Sequence, residues 1–248
     1  MGTIYIMWLR ELKRFWRSKA RIIGSLAQPV LFLVALGFGL GSTFQSAGDG
    51  NYIEFLAPGI IGMSILFSAM FMGIQVIWDR QFGFLKETLV APVSRYKIML
   101  GRTLGGATVA SIQGLLVLII SMFIGFRPQN LVAVPLAFVF MFLIAVLFTA
   151  LGTAIASRLE DMQGFQLIIN FVIMPLFFLS GALFPLDNVP NVLKDIIRVN
   201  PLSYGIDGLR TVFTGVTHLG LILDFIVLAS LTIIITLIGS YLFSRIEV

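Results

Sequence analysis

The chain has no cysteine and a single histidine, His218, among its 248 residues. Without cysteine there is no disulfide framework and no thiolate metal site, and one histidine cannot hold a haem between two. Charge is scarce as well. Only 12% of residues are Asp, Glu, Lys or Arg against 58% hydrophobic, and the mean hydropathy is +1.00. Soluble domains carry about 25% charged residues, so the composition is that of an integral membrane protein. No lysine follows a glycine. The phosphate-binding G-x-x-x-x-G-K-[ST] loop is therefore missing, and ATP hydrolysis by that route is excluded. No G-x-S-x-G stretch supports a serine hydrolase.

What the chain does have is long apolar runs. A bilayer core of roughly 30 Å takes about 20 apolar residues as helix. Six windows reach that length, and they predict an all-α, polytopic membrane protein with six transmembrane helices. The working spans are near 22–41, 56–78, 104–125, 132–156, 164–184 and 223–243. They leave no room for a soluble domain of ~100 residues. The basic leader before the first span is long, and the apolar run exceeds the roughly 7–15 residues of a signal-peptide core. The expectation is therefore a retained span. Gln28, Gln75, Gln113, Gln166 and Asn170 are expected to bridge helices by hydrogen bonds, and Gly37 with Gly41 to make a close packing site. Ion-coupled carriers usually keep ionisable groups inside the membrane. Here only Asp224, at the edge of the sixth span, comes near to that description.

The basic excess, a net charge of +5, has a topological pattern. Arg10, Lys13, Arg14, Arg17, Lys19 and Arg21 precede the first span; Arg80, Lys86, Arg95, Lys97 and Arg102 follow the second; Arg158 and Arg245 fall on the same side. Arg127, Lys194, Arg198 and Arg210 are left for the other, three of them among Asp187, Asp195 and Asp207. The positive-inside rule then places both termini in the cytoplasm. The same pattern makes the excess a topology signal, with no nucleic-acid partner implied.

Three segments outside the spans carry patterns of their own. In the leader, Tyr5, Trp8, Leu9, Leu12, Phe15 and Trp16 recur at helical spacing, with Arg10, Arg14, Arg17 and Arg21 on another face. This predicts an amphipathic interfacial helix. After the second span, Trp78, Phe82, Leu85 and Leu89 share one helical face and Arg80, Gly83, Phe84 and Glu87 lie opposite, with Pro92 ending the helix. An exposed Phe84 among charges predicts a docking knob for a partner protein. Before the last span, Val189, Leu193, Ile196 and Ile197 form one apolar face and Leu202, Ile206, Leu209 and Phe213 another, with Pro190 and Pro201 placed to start two helices.

At these residues the sequence resembles a known family. Leu56-Ala57-Pro58-Gly59 at the start of the second span, Asp79-Arg80, Gly83, Pro92-Val93-Ser94-Arg95, and "NPLSYGIDGLR" from Asn200 to Arg210 are similar to type-2 ABC exporter permeases of the daunorubicin-resistance-like group. The resemblance runs over nearly the whole chain, with a short region before the first span. It implies a single permease domain over 1–248. It also implies a coupling helix with Arg80, Gly83, Phe84 and Glu87 seated on a separate ATP-binding-cassette ATPase subunit, and an interfacial helix with Trp8, Arg10, Arg14 and Trp16 touching the same partner. Short outer re-entrant helices would include Asn200, Pro201, Tyr204, Asp207 and Arg210. The chain itself would be no enzyme and hold no cofactor or metal, ATP and Mg staying in the ATPase. A second permease subunit, as a homodimer, and membrane lipid would complete the assembly.

Two other classes remain open on the residues alone: an ion-coupled secondary transporter and a membrane-embedded enzyme. Within the ABC class the cargo is either hydrophobic or a polysaccharide. Sugars bind well on Trp and Tyr, but Trp8, Trp16, Trp78 and all five tyrosines fall near the boundaries. The spans hold Phe and Met, which give adaptable apolar contact. The expectation is export of a hydrophobic or amphipathic drug-like molecule or lipid across the cell membrane, a multidrug-resistance type of activity.

Overall fold

The computed structural model describes residues 2–41, 51–90, 92–129, 133–184 and 190–246. The described residues are helical throughout their regular structure: α1 (Gly2–Arg17), α2 (Lys19–Gly39), α3 (Tyr52–Gln81), α4 (Phe84–Val90), α5 (Arg95–Ile124), α6 (Val134–Ala156), α7 (Met162–Ile168), a π-helical turn (Ile169–Ile173), α8 (Met174–Phe178), α9 (Asn191–Val199), α10 (Pro201–Thr214) and α11 (Leu221–Ser244). Among them α2, α3, α5, α6 and α11 are long and apolar enough to cross a membrane.

The expected span near 164–184 takes a different form. Met162–Phe178 is one apolar stretch of helix interrupted by the π-turn, and the backbone turns at residues 179–184. At 1.5 Å per residue it reaches about 25 Å, short of a full hydrocarbon core. By contrast α3 and α5 have 30 residues each, about 45 Å, and project well beyond ~30 Å of hydrocarbon. Their polar projecting ends, the C-terminus of α3 and the N-terminus of α5, lie side by side at what is called here the basic end.

α3 is the hub. It packs on α2, α5, α6 and α10, and almost every residue from Leu56 to Met70 is buried. Small residues let backbones meet there. A Cβ on Gly73 would sit 2.4 Å from the Gly152 carbonyl oxygen, and one on Gly59 2.3 Å from that of Ala182. The latter explains the glycine in Leu56-Ala57-Pro58-Gly59: the turn after α8 presses on the start of α3, where the Tyr52 hydroxyl also donates to the Leu183 carbonyl at 2.9 Å. α2 and α11 are sparsely buried. Ile23, Leu31 and Phe38 on α2 and Ile222, Ile226, Ile233 and Leu237 on α11 face outward, as side chains solvated by a bilayer must. Of the expected glycine pair, Gly37 packs on Ile53 while Gly41 has open space beside it.

Candidate functional site

At the basic end α1 lies along α5, and glycine explains how. Cβ atoms at Gly101 and Gly105 would come within 2.7 Å of Met7 Cβ and 2.8 Å of Glu11 Cβ, so these two positions form a groove for α1. The Trp8 indole donates to Thr108 Oγ1 at 3.1 Å. This seating changes the expected amphipathic face. Met7, Glu11 and Phe15 are the buried side chains of α1, while Tyr5 and Trp16 are 59% and 64% exposed. The helix therefore rests on protein along one edge and turns its outer aromatics away.

The seating aims the arginines inward. Arg10 Nη2 lies 2.8 Å from Asp79 Oδ2, Arg14 Nη1 3.4 Å from Asp79 Oδ1, and Arg102 Nη1 2.8 Å from Asp79 Oδ2 as an ion pair rather than an aligned hydrogen bond. Asp79 and Arg102 are buried. Beside them the buried Glu11 accepts from Gln75, whose amide oxygen in the same orientation accepts from Arg21 Nη2 at 2.6 Å; that amide orientation is the one that satisfies both neighbours. Four arginines thus surround two carboxylates and tie α1, α2, α3 and α5 together. Asp79, Arg102, Glu11 and Arg21 were not among the expected site residues. Spacing would have found part of the cluster: Gln75 and Asp79 are four apart on α3, hence on one face.

α4 does not continue α3. Gly83 has φ +79, a backbone region that favours glycine, and the chain bends there. The single helical face expected for Trp78, Phe82 and Leu85 is broken by this bend: Leu85 is buried but Phe82 is 71% exposed. The side chain of Leu89 lies outside those described. Phe84 is 55% exposed, and Glu87 is exposed on the same short helix. Arg80 pairs with Glu160 at 3.6 Å. Between α1 and α4 runs a groove of about 680 Å³, with Arg10, Lys13, Arg14 and Arg17 on one wall, Phe84, Glu87 and Thr88 on the other, and Asp79 at its base. The two segments singled out separately in the sequence therefore form one surface.

At the opposite end α9 and α10 meet at Asn200. Its side chain accepts from the Leu202 amide at 3.0 Å, capping α10, and donates to the Leu176 carbonyl at 2.7 Å. Pro201 is the first residue of α10, and the Tyr204 hydroxyl donates to the Arg198 carbonyl at 2.5 Å. Asp207 accepts from the His218 and Leu219 amides at 3.1 and 2.8 Å. Arg210 is buried, donates to the Gly181 carbonyl at 3.0 Å and lies 4.1 Å over the Phe55 ring. Leu202, Ile206, Leu209 and Phe213 are fully buried. α10 is thus a core element packed on α3, α6 and α11 and no half-buried flap; glycines at 62, 205 and 208 admit it. α9 is the looser piece, with Ile197 buried but Val192 and Ile196 exposed. Val189, Pro185 and Asp187 lie outside the described residues.

At mid-depth a cavity of about 330 Å³ lies between α2, α3 and α5, lined by Ser25, Gln28, Ser64, Ser68 and Gln113 together with Met63, Phe67 and Phe71. Gln113 donates to Ser25, bridging α5 to α2 as expected, and Gln75 bridges α3 to α1 and α2. Gln166 instead donates to Asn170 at 3.1 Å within its own helix.

A polytopic helical bundle with a basic groove at one end and a mainly apolar cavity at mid-depth is compatible with a transporter's membrane subunit. The sequence matches the ABC-2 type transporter family over residues 3–214, and the chain belongs to that family. It is 32% identical over 217 residues to the putative transport permease ycf38 of Pyropia yezoensis, covering 84% of this chain and 72% of that one. To Nodulation protein J of Rhizobium leguminosarum bv. trifolii it is 30% identical over 215 residues, 85% and 78% of the two chains. To the inner membrane transport permease YadH of Escherichia coli K12 it is 29% identical over 225 residues, 90% and 87%. The chain is accordingly a multi-pass ABC-2 type permease subunit, and membership implies association with an ATP-binding subunit.

Proposed function

We propose that this permease moves a hydrophobic or amphipathic molecule, drug-like or lipid, outward across the cell membrane, driven by ATP hydrolysed with Mg in a separate ATP-binding-cassette subunit. Two permeases, a homodimer, flank the path, and both termini are cytoplasmic. The observation that carries the reading is the groove between α1 and α4. Phe84 and Glu87 stand on the same surface as the basic edge of α1, over a buried carboxylate that links α1, α3 and α5. A partner that grips Phe84, Glu87 and the Arg10–Arg14 edge can displace these helices together. Trp8 and the Gly101–Gly105 groove hold α1 to α5, so a pull on α1 is felt along a 30-residue span. At the outer end Asn200, Asp207 and Arg210 brace α10 against α3 and α11, closing that mouth until the bundle moves.

The cavity lining supports apolar over sugar cargo. Its aromatic residues are Phe15, Phe67 and Phe71, without Trp or Tyr. Reconstitution with the cognate ATPase in liposomes tests the proposal: lipophilic compounds should stimulate ATP hydrolysis and be moved, and lipid-linked glycans should do neither. Stimulation by glycans alone overturns it.

A further inference from the structure

Two cavities meet at Arg21. The shallower one, about 710 Å³, lies at the basic end where the α1–α2 junction faces α3 and α7. Arg14, Ser18 and Arg21 form its polar wall, and Phe71, Ile74 and Trp78 its apolar wall. Phe71 and Trp78 are each 39% exposed, so the apolar side is open to the surroundings. The deeper one is the mid-depth cavity with Ser25, Gln28, Ser64, Ser68 and Gln113. Arg21 and Phe71 line both. Both volumes fall in the range of roughly 300–1,000 Å³ usual for small-molecule sites.

The charges around this passage do not balance. Arg14 and Arg21 are the charged residues that line it, and no carboxylate lines it among the described residues. Arg14 shares the single Asp79 carboxylate with Arg10 and Arg102, and Gln75 bridges Glu11 to Arg21. An arginine has five N–H donors. Gln75 takes one from each terminal nitrogen of Arg21 and Met72 Sδ lies 3.8 Å from Nη2, which leaves donors over on a residue that lines both cavities. A surplus of fixed positive charge at the edge of a bilayer calls for a counter-ion, and a planar guanidinium suits phosphate or carboxylate. A cationic visitor would be repelled at Arg21, and the serine and glutamine side chains set into the mainly apolar wall of the deeper cavity offer partners to a polar head at mid-depth.

We propose that the cargo is an anionic amphiphile from the cytoplasmic leaflet, its phosphate or carboxylate head seated on Arg21 and its hydrocarbon against Phe71, Ile74 and Trp78. The head then passes Ser25 and Gln113 into the deeper cavity while the chain stays with the apolar outer face of α2. This rests on the export reading above and narrows its cargo to one charge class.

The test uses the complete permease–ATPase complex in proteoliposomes and three short-chain fluorescent lipids with identical chains: a phosphatidylglycerol, a phosphatidylcholine and a diacylglycerol. The phosphatidylglycerol should stimulate ATP hydrolysis and be moved at a half-saturating concentration about tenfold below the others, the scale of one charge-assisted hydrogen bond. Arg21→Gln should raise that concentration about tenfold, with a much smaller change for diacylglycerol, and Arg21→Lys should restore most of the difference. Preference for the neutral lipids, or an equal shift for all three in Arg21→Gln, overturns the anionic assignment and leaves the export reading standing. Response to none of the three sinks both. If Arg21→Gln does not assemble, the ranking of the three lipids by the wild-type complex decides alone.

Discussion

Asp79 joins three helices through one carboxylate. It is 2% exposed and is approached by Arg10, Arg14 and Arg102 from two other helices. Removing one partner of a buried ion pair leaves the other unpaired and typically costs about 3–5 kcal/mol, whereas a partly exposed pair contributes about 0–1 kcal/mol. Arg102 is buried but the Arg10 side chain is 34% exposed. Asp79→Ala should therefore destabilise the purified permease by about 3 kcal/mol or more, and Arg10→Ala by under about 1 kcal/mol. Unfolding in detergent, followed by tryptophan fluorescence, measures both. Asp79→Ala combined with Arg102→Leu should recover part of the loss, because no buried charge is then stranded, Arg10 and Arg14 being partly exposed; equal effects of Asp79→Ala and Arg10→Ala would count against this account.

At the scale of elements, the short helix α4 owes its independence to the bend at Gly83, and its outer side is what a partner can reach. Losing a central interface anchor often costs over ~2 kcal/mol, about thirtyfold in affinity. Phe84→Ala together with Glu87→Lys should weaken co-purification of the ATPase on that scale while the helices remain inserted. If complex formation and transport both survive, α4 is not the coupling element. α1 has a separate dependence on the Gly101–Gly105 groove. A Cβ at Gly105 meets Glu11 Cβ at 2.8 Å with the Trp8 carbonyl at 3.2 Å, whereas one at Gly24 meets nothing within 4 Å. Gly105→Val should lift α1, exposing it to added protease and loosening the ATPase, and Gly24→Ala should do neither.

For the whole molecule, orientation follows from where the arginines and lysines cluster. The described fold puts Ser18 and Ser94 at the basic end and Asn191 at the other, since α2, α3 and α5 alternate in direction. The chain has no cysteine, so single cysteines report cleanly. With a maleimide that does not cross membranes, intact cells should label position 191 and leave positions 18 and 94 unlabelled; labelling of position 94 from outside refutes the proposed topology.

Composition and periodicity alone determine that this is a helical membrane protein, where its long spans lie and which three segments stand apart from them. Those properties are local: a bilayer demands about 20 apolar residues as helix whatever the neighbours, and amphipathic spacing is written in consecutive residues. Capping could be read the same way, as Asn200-Pro201 at the start of α10 shows. Only the tertiary structure decides that Arg10 and Arg14 turn inward to Asp79, that Phe82 is exposed while Leu85 is buried, and that α10 is part of the core. Each of these depends on pairs far apart in the chain. Asp79 lies 69 residues from Arg10, and the glycines that admit α1 lie on α5. A helical period shows which residues share a face. Which helix that face meets is set by packing, where a missing Cβ on one helix makes room for the backbone of another.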